Sequence, residues 1–182
     1  DAAADAHPSS RANGLVLMKL IQRLALVGED ALCCELGAKL VAKALPTWHI
    51  APLPIDAGGV TKLVKEIPRY ANSARHGSPL LCVADTDGLC PVAWLDKALK
   101  KVPLHDRFML RLAVPEAEGW VLADHVGMNQ HFRAPLSKLP VAPDSLTDPK
   151  QEFMKLLILY APAAVRRDMI FRAKSGELRR AT

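Results

Sequence analysis

Two aspartates one residue apart, Asp85 and Asp87, sit in the segment Asp85-Thr86-Asp87-Gly88, and the apolar run Leu80-Leu81-Cys82-Val83-Ala84 leads directly into it. Carboxylates at that spacing can face one divalent cation. Hard cations such as Mg²⁺ are commonly held by one or two carboxylates, with water and substrate phosphate completing the shell. Two more acidic clusters follow apolar runs of the same kind. Glu29 and Asp30 follow Leu24-Ala25-Leu26-Val27-Gly28, and Glu116 and Glu118 follow Leu110-Arg111-Leu112-Ala113-Val114-Pro115. If the three runs are parallel strands, their carboxyl ends make one crevice, where open α/β sheets place their ligands. Each acid also has a plainer reading. Asp87-Gly88 is a common turn pair. Glu29 or Asp30 could cap a following helix. Glu118 suits the first turn of a helix, facing its dipole, and Asp124 reads as structural.

The residues around these acids alternate between strand and helix patterns. Leu24–Val27 reads as a buried strand, and Ala31–Leu45 as a helix with Leu32, Leu36, Leu40 and Val41 on one face. Trp48–Leu53 is a weaker second strand. Val60–Ala74 reads as a second helix, which Pro68 should kink or break. Leu80–Ala84 is the third strand, Val92–Lys101 the third helix and Phe108–Val114 the fourth strand. A helix is expected within Glu118–His131. A loop with Pro135, Pro140, Pro143 and Pro149 follows, then a helix over Lys150–Tyr160 and a basic stretch over Arg166–Arg180. This order predicts an α/β domain, Rossmann-like, with a mostly parallel sheet and helices on both faces. The expected organisation is a disordered leader over 1–14, the α/β core over 15–134, and a proline-rich loop with a C-terminal helical and basic segment over 135–182.

The chain has 182 residues; half are hydrophobic and only 5% aromatic, so one domain with a Leu, Val, Ala and Ile core is expected. A net charge of +5 suits a polyanionic partner such as nucleic acid. Arg166, Arg167, Arg172, Arg179 and Arg180 could follow a phosphate backbone, although a basic tail is the plainer meaning of such a run. Cys33, Cys34, Cys82 and Cys90 form no CxxC pair, which argues against a zinc knuckle and for free thiols in a reducing cytoplasm. No apolar run approaches ~18 residues, so no membrane span is expected. The first residues lack the apolar core of a secretory signal. The histidines show no HExxH spacing, and Trp48, Trp94 and Trp120 read as packing anchors.

Val27-Gly28-Glu29-Asp30, with Val83-Ala84-Asp85-Thr86-Asp87-Gly88, resembles the Toprim pattern of one Glu after the first strand and a DxD after the third. The segment Ala113-Val114-Pro115-Glu116-Ala117-Glu118-Gly119-Trp120-Val121-Leu122-Ala123-Asp124, with Asp148-Pro149-Lys150, is the more specific part. It resembles an uncharacterised bacterial Toprim-like family related to the overcoming-lysogenization-defect nucleases. Members often lie beside ABC-type ATPases in defence-like gene neighbourhoods. The resemblance runs from about Leu24 to Asp168. It implies a Toprim-like fold and a nuclease or related phosphoesterase using Mg²⁺, with Mn²⁺ as the alternative. On it, Glu29 is the general acid/base or a ligand, and Asp85 and Asp87 are the metal pair. Glu116 is the acid of the fourth strand; from their position alone, Glu116 and Glu118 could close the cage or hold a second ion. Lys150 would offset charge on a phosphate; its plain reading is a first-turn surface lysine. An ABC-type ATPase partner and a role in anti-phage defence are implied on the same grounds. The chain departs from the pattern in two places: Gly28 precedes Glu29 instead of following it, and Pro115 stands where Arg is more usual. Relatives are also expected to continue past Arg180.

Two other classes compete with a nuclease. One is a non-catalytic Toprim-like module that binds nucleic acid or a protein partner. The other is a phospho-aspartate protein. Its receiver-like form needs a lysine after a fifth strand, and its dehalogenase-like form needs DxD after the first core strand, whereas here two β-α units precede the motif. With Tyr70 and Tyr160 as the only tyrosines, a topoisomerase is not expected, and the length does not fit a whole primase.

Overall fold

The computed structural model describes residues 22–100, 102–103, 105–172 and 178–180. The expected leader 1–14, the stretch after it up to residue 21, and Lys101 lie outside the described residues. The core sheet is built from β1 (Gln22–Gly28), β2 (Trp48–Ile50), β3 (Ile55–Asp56), β4 (Leu80–Asp85) and β5 (Phe108–Ala113). All neighbours run parallel, in the order β2-β1-β4-β5, and β3 pairs with β1 beyond the end of β2. The strand expected over Trp48–Leu53 ends at Ile50, and a further short strand, β3, lies beyond the expected span. Pro52 and Pro54 lie between them, and proline cannot donate to a ladder.

Both faces of the sheet are covered, which is why β4 is a continuous apolar run: Leu80 to Ala84 are all buried. Alternation along β4 divides these residues between two cores. Leu80, Cys82 and Ala84 pack on one face with Leu63, Ile67, Tyr70 and Ala74 of α2 (Val60–His76) and Trp94 and Ala98 of α3 (Pro91–Leu99). Leu81 and Val83 pack on the other with Cys33 and Val41 of α1 (Ala31–Ala44) and with Ala113 and Ala117. Trp94 is buried, and Trp48 and Trp120 pack against the second core, so all three tryptophans are packing residues.

Of the two outcomes expected at Pro68, a break does not occur: α2 runs through it from Val60 to His76. An interior proline costs roughly 3 kcal/mol. Burial of Leu63 and Ile67 before it, and of Tyr70, Ala71 and Ala74 after it, outweighs that cost. The helix expected within Glu118–His131 is two, α4 (Ala117–Ala123) and α5 (His125–Phe132). Asp124 divides them because its carboxylate accepts from Gly127 N–H at 2.9 Å and so caps α5. A third core joins Leu122, Met128, Leu139, Phe153, Leu156 and Leu157, and thereby fastens α6 (Pro149–Tyr160) to α4 and α5. α7 (Ala163–Met169) and an antiparallel pair, β6 (Ile170–Arg172) and β7 (Leu178–Arg180), follow. None of the helices among the described residues is long and apolar enough to cross a membrane.

Candidate functional site

The chain leaves β1 for β2 on one side of the sheet and returns to β4 on the other, so the strand order reverses between β1 and β4. Such a reversal opens a crevice at the carboxyl ends of the two strands. Glu29 directly follows β1, and Asp85 is the last residue of β4. The two meet there: Asp85 N–H donates to Glu29 Oε2 at 3.0 Å. The Glu29 backbone is pinned on both sides, its N–H donating to Val83 O and its carbonyl accepting from Gly59 N–H, each at 2.9 Å.

Strand alternation then separates the acids. Asp85 continues the Leu81, Val83 side of β4. Its Oδ1 accepts from Ala117 N–H, the first residue of α4, at 3.0 Å and from the Cys33 thiol at 3.5 Å. Glu29 continues the Val27 side of β1 and accepts from the Val60 backbone at the start of α2. Asp87 belongs with Glu29, whose ionisation its charge opposes. It is exposed and left-handed (φ 49°), followed by Gly88 at φ 73°. That is turn geometry, and the turn is docked on the β5 side by Thr86, fully buried, whose hydroxyl donates to Pro115 O at 3.0 Å. Thus the two aspartates of the motif diverge, Asp85 inward and Asp87 outward.

Glu116 is committed elsewhere. Its Oε2 accepts from Lys150 N–H at 3.0 Å, in the first turn of α6. The Lys150 side chain is exposed and sits within electrostatic reach of Glu116. Glu118 is only 2% exposed, and its charge acts on both Asp85 and Glu116. Asp30 is a helix cap, as its plainer reading has it: Oδ1 accepts from Cys33 N–H at 2.8 Å.

The electrostatics follow from crowding acids in a half-buried crevice. Asp85 is pushed up from 3.8 to about 7, first by burial and then by the Glu29 and Glu118 charges, against the Ala117 N–H that favours the carboxylate. Burial also raises Glu29, against the Asp85 N–H, and the Asp87 and Asp30 charges add to the rise. Glu116 is raised by burial, which the Lys150 N–H opposes. Burial, with Asp85 beside it, holds the Cys33 thiol protonated, so Cys33 acts as a donor. All four cysteines are free, as expected from their spacing. His125 is tied to Pro140 O at 3.0 Å.

The five acids therefore form one neighbourhood with two centres, Glu29 with Asp87 and Asp85 with Glu118, and Glu116 turned toward α6. Among the described residues, no three His, Cys, Asp or Glu side chains stand together as a ready metal cage. The donor set itself suits a hard cation, being carboxylate oxygen throughout. Divalent charge would also favour the ionised forms of Glu29 and Asp85, which burial first and neighbouring charge second disfavour. Sequence reasoning missed Cys33, Thr86 and the start of α2 as parts of this site. Only the last had a signal, the Gly58-Gly59 pair ahead of an amphipathic helix.

Two predictions belong to this geometry. A Cβ at Gly28 would stand 2.4 Å from Cys34 N and 2.7 Å from Asp30 O, both backbone atoms that cannot yield cheaply. Gly28→Ala is expected to cost roughly 2–3 kcal/mol in denaturant unfolding, as overpacked cores do. Glu116→Ala should cost about 1 kcal/mol, the value of a lost helix cap, and leave Mg²⁺ affinity within a few-fold. A large loss of metal affinity without destabilisation would instead place Glu116 in the cage.

Comparison with known proteins gives no match: no family model, no curated protein and no solved structure matches the chain.

Proposed function

We propose that the chain is a Toprim-like, divalent-cation-dependent phosphodiesterase that cleaves nucleic acid, with its centre at Glu29 and Asp85. The observation that carries this reading is the hydrogen-bonded junction of these two acids at the switch point of a parallel sheet. Mg²⁺ or Mn²⁺ would be held at the Glu29–Asp85 junction, with Asp87 adding negative charge on the Glu29 side and Glu118 on the Asp85 side, and would supply polarisation of a phosphoryl oxygen. Glu29, at the junction, would either hold the cation or take a proton from an attacking water. Lys150, exposed beside Glu116, is available to offset charge on the phosphate. Asp85 is held in position by Ala117 N–H and the Cys33 thiol. An ATPase partner and a defence role stay in the proposal through the resemblance of residues 113–124 and 148–150 alone.

The test is cleavage of plasmid, single-stranded DNA and RNA in Mg²⁺ and in Mn²⁺, with chelator controls. Metal-dependent cutting is the expected result. A second reading, a binding module without catalysis, is favoured by the lack of a ready three-ligand group among the described residues. Metal and nucleic acid bound without any cutting would establish it instead.

A further inference from the structure

The acidic crevice by itself repels phosphate, so a nucleic-acid substrate has to be held by cations elsewhere. α2 supplies them. It carries Lys62, Lys65, Arg69 and Arg75 against one acid, Glu66, a balance of 4 − 1 = +3 in a chain whose total is +5. No other helix among the described residues exceeds +1. Lys62, Lys65, Arg69 and His76 recur at steps of three, four and seven, which places them in one stripe on a helix of 3.6 residues per turn. All four are exposed, opposite the buried Leu63, Ile67, Tyr70 and Ala74. At 1.5 Å per residue the stripe is about 21 Å long, or about six base pairs of duplex.

The stripe starts at the crevice. Gly59, directly before α2, donates its N–H to the Glu29 carbonyl at 2.9 Å. The Lys62 ammonium reaches back to within 3.1 Å of the position a Cβ would take at Gly58, in the turn leading into α2. Because α2 returns the chain between parallel strands, its basic face runs from the acidic edge down the outside of the domain. Glu66 is engaged by Arg69, an exposed pair of small worth that a phosphate can exchange with. α7 offers less: Arg166 donates to Ile158 O at 2.9 Å, which leaves Arg167, exposed and loosely paired with Asp168 at 3.6 Å, as its one comparable cation.

We propose that the outer face of α2 is a phosphate-backbone track, through which Lys62, Lys65 and Arg69 hold nucleic acid and lead it to the Glu29–Asp85 edge. This inference rests on reading that edge as a phosphodiester site. Recognition through phosphates is independent of base sequence and steep in salt.

The test uses the full chain with chelator present, so that nothing is cut. Fluorescence anisotropy follows binding of labelled single-stranded and duplex 20-mers from about 50 to 300 mM salt. Lys62→Ala/Lys65→Ala/Arg69→Ala is compared with wild type and with Lys39→Ala/Lys43→Ala, on exposed positions of α1 across the sheet. All are exposed positions replaced by a good helix former, so the fold is kept, and circular dichroism checks it. The α2 variant is expected to bind at least tenfold more weakly at about 100 mM salt, with the slope of log K against log salt reduced by about two to three. The α1 variant should bind within about twofold of wild type. Equal binding by all three proteins overturns the track. So does a wild type that binds polyglutamate but neither nucleic acid. Cleavage distinguishes the two readings. If the wild type cuts and the α2 variant binds and cuts equally, the track falls and the site stands. If the α2 variant alone loses binding while nothing is ever cut, the track stands and the catalytic reading falls.

Discussion

Asp85→Asn is expected to abolish metal-dependent cleavage and at the same time make the folded protein more stable. The two effects have one cause. Asp85 ends the central strand β4 in a crevice it shares with Glu29 and Glu118, and burial and those charges hold it near neutrality, at about 7. An asparagine has the same shape, and its amide oxygen can still accept from Ala117 N–H and the Cys33 thiol. It carries no charge for its neighbours to oppose. Removing the cost of burying that charge, and with it the repulsion, is worth roughly 1–2 kcal/mol at pH 8, the usual gain when a functional site gives up its strain. Catalysis moves the other way. A carboxylate lost from a cation site forfeits several kcal/mol of transition-state stabilisation, so the rate should fall at least about 10²–10³-fold. Thermal unfolding and initial cleavage rates on the same preparation read both. An inactive but destabilised variant would mean that Asp85 is chiefly a helix partner for α4. Unchanged cleavage would remove Asp85 from the chemistry.

The fold was largely legible because its signals are local. The apolar run over Leu80–Ala84 is one unbroken strand because both faces of β4 are covered. Asp30 caps α1 three residues before Cys33, a partner close enough to be read from spacing. The break at Asp124 was equally local, yet the apolar periodicity on either side of it argued for one helix. Pro68 misleads for the opposite reason: a strong local breaker loses to burial on the far side of the helix. The site was legible as a list of strand ends and no further. Which face each acid takes depends on register, here Gly28 opposite Val83, and a step of one residue exchanges the faces. The partners of the acids are remote as well. Asp85 meets Ala117, 32 residues on, and Glu116 meets Lys150, 34 residues on. No spacing rule joins residues so far apart. The three acidic ends therefore looked like one cage, and instead they are divided between the starts of α2, α4 and α6.

The same crowding makes the stability of the metal-free protein fall as pH rises, while metal affinity increases. In the unfolded chain Asp85 titrates at its ordinary 3.8; in the folded chain it holds its proton to about 7. Folding therefore binds a proton between those values. The stability this contributes is complete below about pH 4 and is lost as pH rises through about 7. One such group changes stability by at most about 1.4 kcal/mol per pH unit, and partial exposure to water reduces that. Glu29 and Glu116 are raised too and act in the same direction. A divalent cation requires the opposite state, because a ligand carboxylate has to be ionised. Below about pH 7 the apparent Mg²⁺ affinity should drop by up to tenfold per pH unit for one displaced proton. The rise in melting temperature on adding Mg²⁺ should accordingly be large at pH 8 and vanish near pH 5, as thermal unfolding with and without the ion will measure. Asp85→Asn supplies the internal control, since the difference between its pH profile and that of the wild type reports Asp85 together with the neighbours coupled to it, Glu29 and Glu118, and cancels the carboxylates elsewhere. If the stability difference between the metal-free wild type and Asp85→Asn is flat from pH 5 to 8, Asp85 is already ionised in the folded chain across that range. The cation would then have no repulsion to relieve, and the electrostatic argument for a metal at this edge would fail.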